Sequence, residues 1–398
     1  MSSSDDVEIA NPSAKISKHS ADALQIKSFA HLADVNLSFG DLTILVGPQG
    51  AGKSLALQWL KIALDGRQVV DALKIAGHPT DHSDTLIDLI FGTGMAKGWK
   101  DDTVIKFGKS TLKRNTIGRR GDGKERLFFV PAHRSMLISD GWAAPFQKLN
   151  SDTPVVARLF SQNLFDRFSG KNTGTLFPIE KRLKKVIREK IDDAVFHGGK
   201  VGIEEDQQHA LRLRLVHGDM HLPFMTWTAG QREFTPLLLG LYHLLPQTNQ
   251  RKREDIDWVV IEEPEMGLHP QAITAVMLLV LDLMWRGYRV VLSTHSPHVA
   301  ALLWLMKQLK EHRARWSRVC DAFDVGAAPM KEVAKAALEK SYNAYLLEFR
   351  NDGCVHSIDI SDLDPTSDDD RISGWGGLTG YSARFADAVR DAVVENLK

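Results

Sequence analysis

The sequence predicts an α/β fold with a mixed central sheet, an inserted helical lobe and a C-terminal α+β extension, on three observations. Apolar runs of strand length recur between polar or glycine breaks, at Leu24–Phe29, Val35–Phe39, Leu42–Val46, Arg126–Val130 and Trp258–Ile261. One of them runs through a glycine-rich loop straight into LALQWLKIAL, whose apolar residues have helical spacing. Residues from about Met136 to Gly199 read as helical, most clearly over Phe177–Phe196, where Leu183, Val186, Ile187, Ile191 and Val195 share one stripe.

Taken in order, residues 1–20 are polar and aperiodic and read as an arm. Residues 21–135 hold the first strands and the glycine loop, and 136–205 form the helical insertion. Within 206–305, His209–Val216 and Leu222–Trp227 flank HGDM as a hairpin. TAGQRE, a Leu-rich helix, the strand Trp258–Ile261, another helix and the strand RVVLSTH follow. A helix over Pro297–Lys310 leads into residues 306–398, the C-terminal α+β extension, with further helices over Lys331–Glu339 and Ala383–Leu397 and a hairpin over Tyr345–Ile360.

The 398 residues balance 50 Lys+Arg against 50 Asp+Glu, which excludes a uniformly basic nucleic-acid coat and an acidic disordered chain. Cys320 and Cys354 are too few for a disulfide framework or a four-cysteine metal site, so a reducing, cytoplasmic compartment is expected. The longest apolar stretch, Ala275–Trp285, carries Asp282 and is far short of the ~20 residues that span a bilayer. No membrane association or signal peptide is expected.

Gly47-Pro48-Gln49-Gly50-Ala51-Gly52-Lys53-Ser54 satisfies G-x-x-x-x-G-K-[ST] between a strand and a helix. Glycines let backbone N–H groups close around a phosphate, and the helix N-terminus favours the anion. Lys53 would neutralise the outer phosphates and Ser54 would offer a hydroxyl to Mg²⁺, so ATP and Mg²⁺ are the expected ligands. Trp258–Ile261 delivers Glu262 and Glu263 to a strand end. Two adjacent carboxylates need a compensating charge, which assigns Glu262 to Mg²⁺ and Glu263 to the general base. A later strand delivers Thr294-His295-Ser296, with His295 placed to sense the γ-phosphate.

Thr228, Ala229, Gly230 and Gln231 open a helix after the hairpin and form a second anion cradle. Together, GPQGAGKS, TAGQRE, IEEPEMGLHP and STHS resemble an ABC-type P-loop ATPase head, with TAGQRE in the place of the signature motif. The resemblance covers about Leu24–Ala300. It implies a head-to-tail dimer in which Thr228–Gln231 of one subunit closes on ATP held by the other. The Glu-Glu-Pro-Glu and Leu-His-Pro variants, with Val130-Pro131-Ala132-His133-Arg134-Ser135, are similar to the OLD family and its antiphage relatives such as Septu, PARIS and retron-associated ATPases. His269 stands where that pattern has an acid, and Gln147 is the candidate for the Q-loop glutamine. OLD proteins carry a C-terminal TOPRIM nuclease domain; the stretch after His295 is too short for one, and Asp359, Asp362, Asp364 and Asp368–Asp370 read as a solvated loop. Trp375–Val389 is expected to pack against the ATPase.

Lys106, Lys109, Lys113, Arg114, Arg119 and Arg120 lie within 103–121 with no acid among them, a stripe that suits DNA, RNA or an acidic protein. The family resemblance implies a dimeric ATPase switch that senses phage and controls a separately encoded nuclease or toxin effector. An ATP-gated, DNA-binding repair ATPase of RecF or SMC type and a nucleotide-dependent scaffold with little turnover are the competing readings. DNA-stimulated hydrolysis would mark the first of these, and absent hydrolysis the second.

Overall fold

The computed structural model describes residues 22–139, 141–168, 173–179, 182–246 and 251–396; the arm expected over 1–20 lies outside them. The strands are β1 (Ala23–Phe29), β2 (Leu32–Ser38), β3 (Leu42–Val46), β4 (Trp99–Phe107), β5 (Ser110–Leu112), β6 (Leu127–Val130), β7 (Ile138–Ser139), β8 (Trp142–Ala143), β9 (Gly174–Phe177), β10 (Lys200–Glu205), β11 (Leu211–His217), β12 (Met220–Pro223), β13 (Trp258–Glu262), β14 (Arg289–Ser293), β15 (Tyr342–Phe349) and β16 (Val355–Asp359). Ten of them form one mixed sheet in the order β5-β4-β1-β2-β16-β15-β3-β14-β13-β6. Its half from β15 to β6 is parallel throughout. On the other side, β1 pairs antiparallel with β2 and β4.

The parallel strands are apolar on both faces because both faces are covered. Ile44, Val46, Val259, Ile261, Val290 and Leu292 point into one core, and Leu45, Val260 and Val291 into the other. The second core is filled by α1 (Lys53–Ile75) and α2 (Ser83–Phe91), with Trp59 and Phe91 against Phe29. Helix α1 bends at Asp65, where the buried Lys61 ammonium meets Asp65 at 2.8 Å and Glu125 at 3.0 Å. The Asp65 carboxylate accepts the N–H groups of Arg126 and Leu127, so the bend is tied to the start of β6. Burial works against the Lys61 charge, but Glu125 and Asp65 outweigh it and raise the ammonium above its ordinary value.

The inserted lobe contains helices, α3 (Val155–Phe168) and α4 (Lys185–Ile191), and also a four-stranded sheet, β12-β11-β10-β9; its β11–β12 hairpin matches the one expected around HGDM, whereas β9 and β10 were not anticipated. The expected helix Phe177–Phe196 is therefore shorter. Phe177 ends β9 ahead of Pro178, a residue that disfavours helical backbone before it. Leu183, Ile187, Ile191 and Val195 are buried as the stripe predicts. The sheet carries the lobe past residue 205 to Pro223, because β10 pairs with β11 and β11 with β12. The strands alternate buried and open positions over only two or three repeats, too few to stand out from helical spacing.

After the lobe come α5 (Ala229–Leu241), α6 (Pro270–Arg286), α7 (Pro297–Glu311), α8 (Ser317–Ala322), α9 (Ala327–Glu339), α10 (Asp370–Ser373) and α11 (Gly380–Asn396). The C-terminal segment has the expected α+β content but does not stand apart: β15 lies parallel to β3, with Tyr345 opposite Leu45, and completes the central sheet. Trp375 packs on Trp304 and donates its indole N–H to Leu363 O at 3.0 Å. Helix α11 departs from the packing expected of it: Tyr381, Phe385 and Val389 are each more than half exposed.

Candidate nucleotide site

Strands β3, β14, β13 and β6 all end at the same edge of the sheet, where an open α/β sheet receives its ligands. From β3 the chain turns through Gly47, whose φ of +143° and distance of 2.2 Å from a would-be Cβ to Leu347 O admit only glycine. At Gly52, with φ of +77°, a Cβ would meet the Leu32 side chain at 2.6 Å and His31 Nε2 at 2.8 Å. The loop thus presents backbone rather than side chains to the space above it. Lys53 opens α1 and is buried, its Nζ donating to Gly47 O at 2.8 Å and Pro48 O at 3.0 Å. Burial lowers its pKa, against the opposing pull of Glu263, Glu265 and Glu262.

Glu262 closes β13 opposite Ser293 and is buried. Its Oε2 accepts the Ala132 N–H at 3.1 Å, while Oε1 has no hydrogen-bond partner. Burial raises its pKa above the ordinary carboxylate value, with the Ser54 hydroxyl, the Ala132 N–H and Arg134 pulling the other way. An orphaned carboxylate oxygen beside Ser54 and below a glycine cradle fits a hard cation such as Mg²⁺ and would be costly without one. Glu263 takes a left-handed φ of +42°, donates its N–H to Ser293 O at 2.9 Å and stands half-buried, with Oε1 3.9 Å from His295 Nε2. Glu265 holds the next strand end in place: its Oε1 accepts from Thr294 Oγ1 and His295 N, both at 2.7 Å. Burial and then the Lys53 charge lower the His295 pKa, which keeps the imidazole neutral near pH 7.

Gln49, Gly50, Ala51, Gly52, Lys53, Ser54, Glu263 and His295 line one cleft of about 580 Å³. Gly47 and Pro48 reach it through the Lys53 ammonium, and Glu262 lies buried beside Ser54. Thr228–Gln231 lie elsewhere, in a second cleft of about 340 Å³ with His197, Gly267 and His269. There Thr228 caps α5: its hydroxyl accepts Gln231 N at 3.3 Å and Gln231 Oε1 accepts Thr228 N at 3.1 Å. His269 caps α6 in the same way, its Nδ1 accepting Gln271 N at 3.4 Å, so this histidine fills a helix-capping position. Gln147 lines neither cleft and sits with Gln68, Ile75 and Glu125 beside the distal half of α1.

The basic stripe divides. Lys106, Lys109, Lys113 and Arg119 are exposed. Arg114 pairs with Asp84 at 2.7 Å, and Arg120 is half-buried over the Phe107 ring with its pKa lowered by burial. Sequence reading missed His31, Gln58, Phe91, Met95 and His133, which also line the nucleotide cleft. His31 comes from the β1–β2 turn, Phe91 from the end of α2, Met95 from the short turn after it and Gln58 from α1, while His133 stands within the Val130–Ser135 segment that the sequence already singled out. It also missed the role of Arg134, which is fully buried; its guanidinium bonds Glu233 O at 3.0 Å, Pro131 O at 3.3 Å, Glu262 O at 3.0 Å and Glu263 O at 3.3 Å.

A family profile described as "AAA domain, putative AbiEii toxin, Type IV TA system" matches residues 146–301. The OLD nuclease of Thermus scotoductus is 24% identical over 378 residues, covering 84% of this chain and 69% of that protein. The chain is thus similar to an OLD nuclease over most of its length, on a mixed α/β fold with a phosphate-loop sequence at the end of β3. The Old nuclease of Escherichia phage P2 is 27% identical over 139 residues, which is 35% of this chain and 22% of that protein. Among solved structures, the Smc head bound to the C-terminal winged-helix domain of ScpA aligns over 85% of this chain and 96% of its own, with 12% identity and a TM-score of 0.40. The SMC head domain of Thermotoga maritima aligns over 85% and 98%, with 11% identity and a TM-score of 0.37. Among the described residues no helix is long and apolar enough to cross a membrane.

Proposed function

We propose that this OLD-like protein binds Mg²⁺·ATP in the Gly47–Ser54 cleft and hydrolyses it. The observation that carries the reading is the meeting of Lys53, Glu263 and His295 in one cleft over buried Glu262, at the carboxyl ends of three adjacent parallel strands. Loop N–H groups and Lys53 would hold the phosphates, and Ser54 and Glu262 would hold Mg²⁺. The ion, when bound, neutralises charge on the β- and γ-phosphate oxygens. Glu263 takes the proton of the attacking water at its carboxylate. The neutral His295 beside it donates toward the γ-phosphate rather than repelling Lys53. Because Thr228–Gln231 open into a separate cleft, the same reading has them act on ATP held by a second copy, in a head-to-tail dimer.

The biological reading is a nucleotide-driven switch in the cytoplasm that senses phage and holds or releases a separately encoded nuclease or toxin effector. Its support is the resemblance to OLD proteins and the toxin–antitoxin family description. The four exposed cations of the stripe favour an added anionic partner, DNA or RNA, which is the repair-type reading. Phosphate release by the purified protein tests the core claim: Glu263→Gln should lose roughly 10²–10⁴-fold in turnover while still binding ATP. Wild-type turnover in Glu263→Gln would overturn the assignment, and DNA stimulation lost on neutralising Lys106, Lys109, Lys113 and Arg119 would favour the repair-type reading.

A further inference from the structure

Arg134 has no place in the chemistry above, yet a buried guanidinium is among the least tolerated groups in a protein interior unless its donors are filled. Here hydrogen bonds engage four of its five N–H donors, and every acceptor is a backbone carbonyl. One belongs to Glu233, in the first turn of α5 just after the Thr228–Gln231 cradle. Two belong to Glu262 and Glu263, the end of β13. A rigid planar fork therefore spans the two clefts.

Three further contacts make the span stiff. The Ser135 hydroxyl donates to the Glu233 carboxylate, and the Ala132 N–H donates to Glu262 Oε2. The start of α5 also rests backbone on backbone against the loop after Glu263: a Cβ on Gly230 would lie 3.0 Å from Gly267 O. At the other end, the left-handed backbone of Glu263 is held on one side by Ser293 O and on the other by Arg134. A non-glycine residue keeps such a conformation only where its surroundings over-determine it.

We propose that Arg134 is a positioning residue that couples the two clefts of one chain, so that seating the Thr228–Gln231 cradle on the partner's nucleotide sets the orientation of Glu263 over the chain's own nucleotide. The proposal rests on the reading of the two clefts as halves of composite ATP sites. A shift of the first turn of α5 moves Glu233 O, the fork transmits the shift to the Glu262 and Glu263 carbonyls, and the base gains or loses its aim at the water. Hydrolysis at the two sites of a dimer is then cooperative.

Arg134→Lys keeps the charge and removes the fork. In a comparison with wild type, this variant should bind ATP within about twofold, melt as a folded protein, lose about tenfold or more in kcat through misplacement of the base, and lose the sigmoidal dependence of rate on ATP. A cycle with Thr228→Ala adds a readout that a merely structural role would not move. If Arg134 acts through α5, the double variant should fall little below Arg134→Lys, whereas independent roles would multiply the two losses. Wild-type kcat with unchanged sigmoidal kinetics in Arg134→Lys, or multiplying losses, overturns the coupling. Should Arg134→Lys not fold, Ser135→Ala leaves the buried charge in place, removes one strut, and should show the same loss of cooperativity with a few-fold smaller effect on kcat; unchanged cooperativity there overturns the proposal. A wild-type protein without ATP hydrolysis would instead remove the reading on which it rests.

Discussion

The two clefts of this molecule are built from opposite materials. The Gly47–Ser54 cleft joins a loop on buried parallel strands to the ionisable side chains Lys53, Glu263 and His295, with Glu262 buried beside Ser54. The Thr228–Gln231 cleft is formed by two capped helix starts, with backbone N–H groups, a hydroxyl and histidines, and contains no lysine, arginine or carboxylate. The first gathers a lysine and a carboxylate beside a glycine loop, the set proposed above to hold a phosphate chain and to supply a base. The second offers helix N–H groups and a hydroxyl to an anion, and its titratable side chains are His197 and His269. The proposal that a working site draws one cleft from each of two copies rests on this difference.

Breaking the charged cleft should have the largest effect. Lys53→Ala should lower turnover by ~10²-fold or more and weaken nucleotide binding, as removal of a preorganised cationic donor does; equilibrium titration with a fluorescent ATP analogue checks it. In the other cleft, Thr228→Ala should leave that affinity unchanged while slowing hydrolysis. It should also destabilise the chain by about 1 kcal/mol through loss of the α5 cap, read by denaturant unfolding.

A smaller effect sharpens the contrast in electrostatics. Burial holds the Glu262 pKa above 4.5, so the folded chain binds this proton more tightly than the unfolded one. Its contribution to stability is therefore present at acid pH and lost as pH rises through the raised value. Without Mg²⁺, Glu262→Gln should melt about 2 °C or more above wild type at pH 7.5, with the gap closing toward pH 4.5. Adding Mg²⁺ should stabilise wild type and leave the variant unmoved. The smallest effect is expected from the surface: neutralising Lys106, Lys109, Lys113 and Arg119 should change basal turnover by less than about twofold, because exposed charges at this remove are screened.

The charged cleft was legible because its chemistry is local in sequence. A loop that must cradle phosphate writes its glycines and lysine within eight residues, and strands that are buried on both faces write unbroken apolar runs that end at the acids and at His295. The place of Thr228–Gln231 at a helix start was legible for the same reason. What surrounds them was not. The lobe sheet pairs β9 with β10 across the intervening α4 and hides its short alternation beside a real helical stripe. Strand β15 joins β3 across about 300 residues, and no periodicity records that. His31, Phe91 and Met95 reach the nucleotide cleft only through the packing of β1, α2 and α1. Arg134 reads as one basic residue in a loop; only its burial among four carbonyls shows what it holds together.

The most direct test of the composite site is sedimentation velocity of Glu263→Gln with Mg²⁺ and ATP, beside the same protein carrying Gly230→Asp. The added carboxylate would face the incoming phosphate, and its Cβ would crowd Gly267 O. Glu263→Gln should sediment as a dimer only when ATP is present, and Gly230→Asp should return it to a monomer with ATP still bound. An ATP-loaded Glu263→Gln that stays monomeric, or a dimer indifferent to Gly230→Asp, would contradict the account.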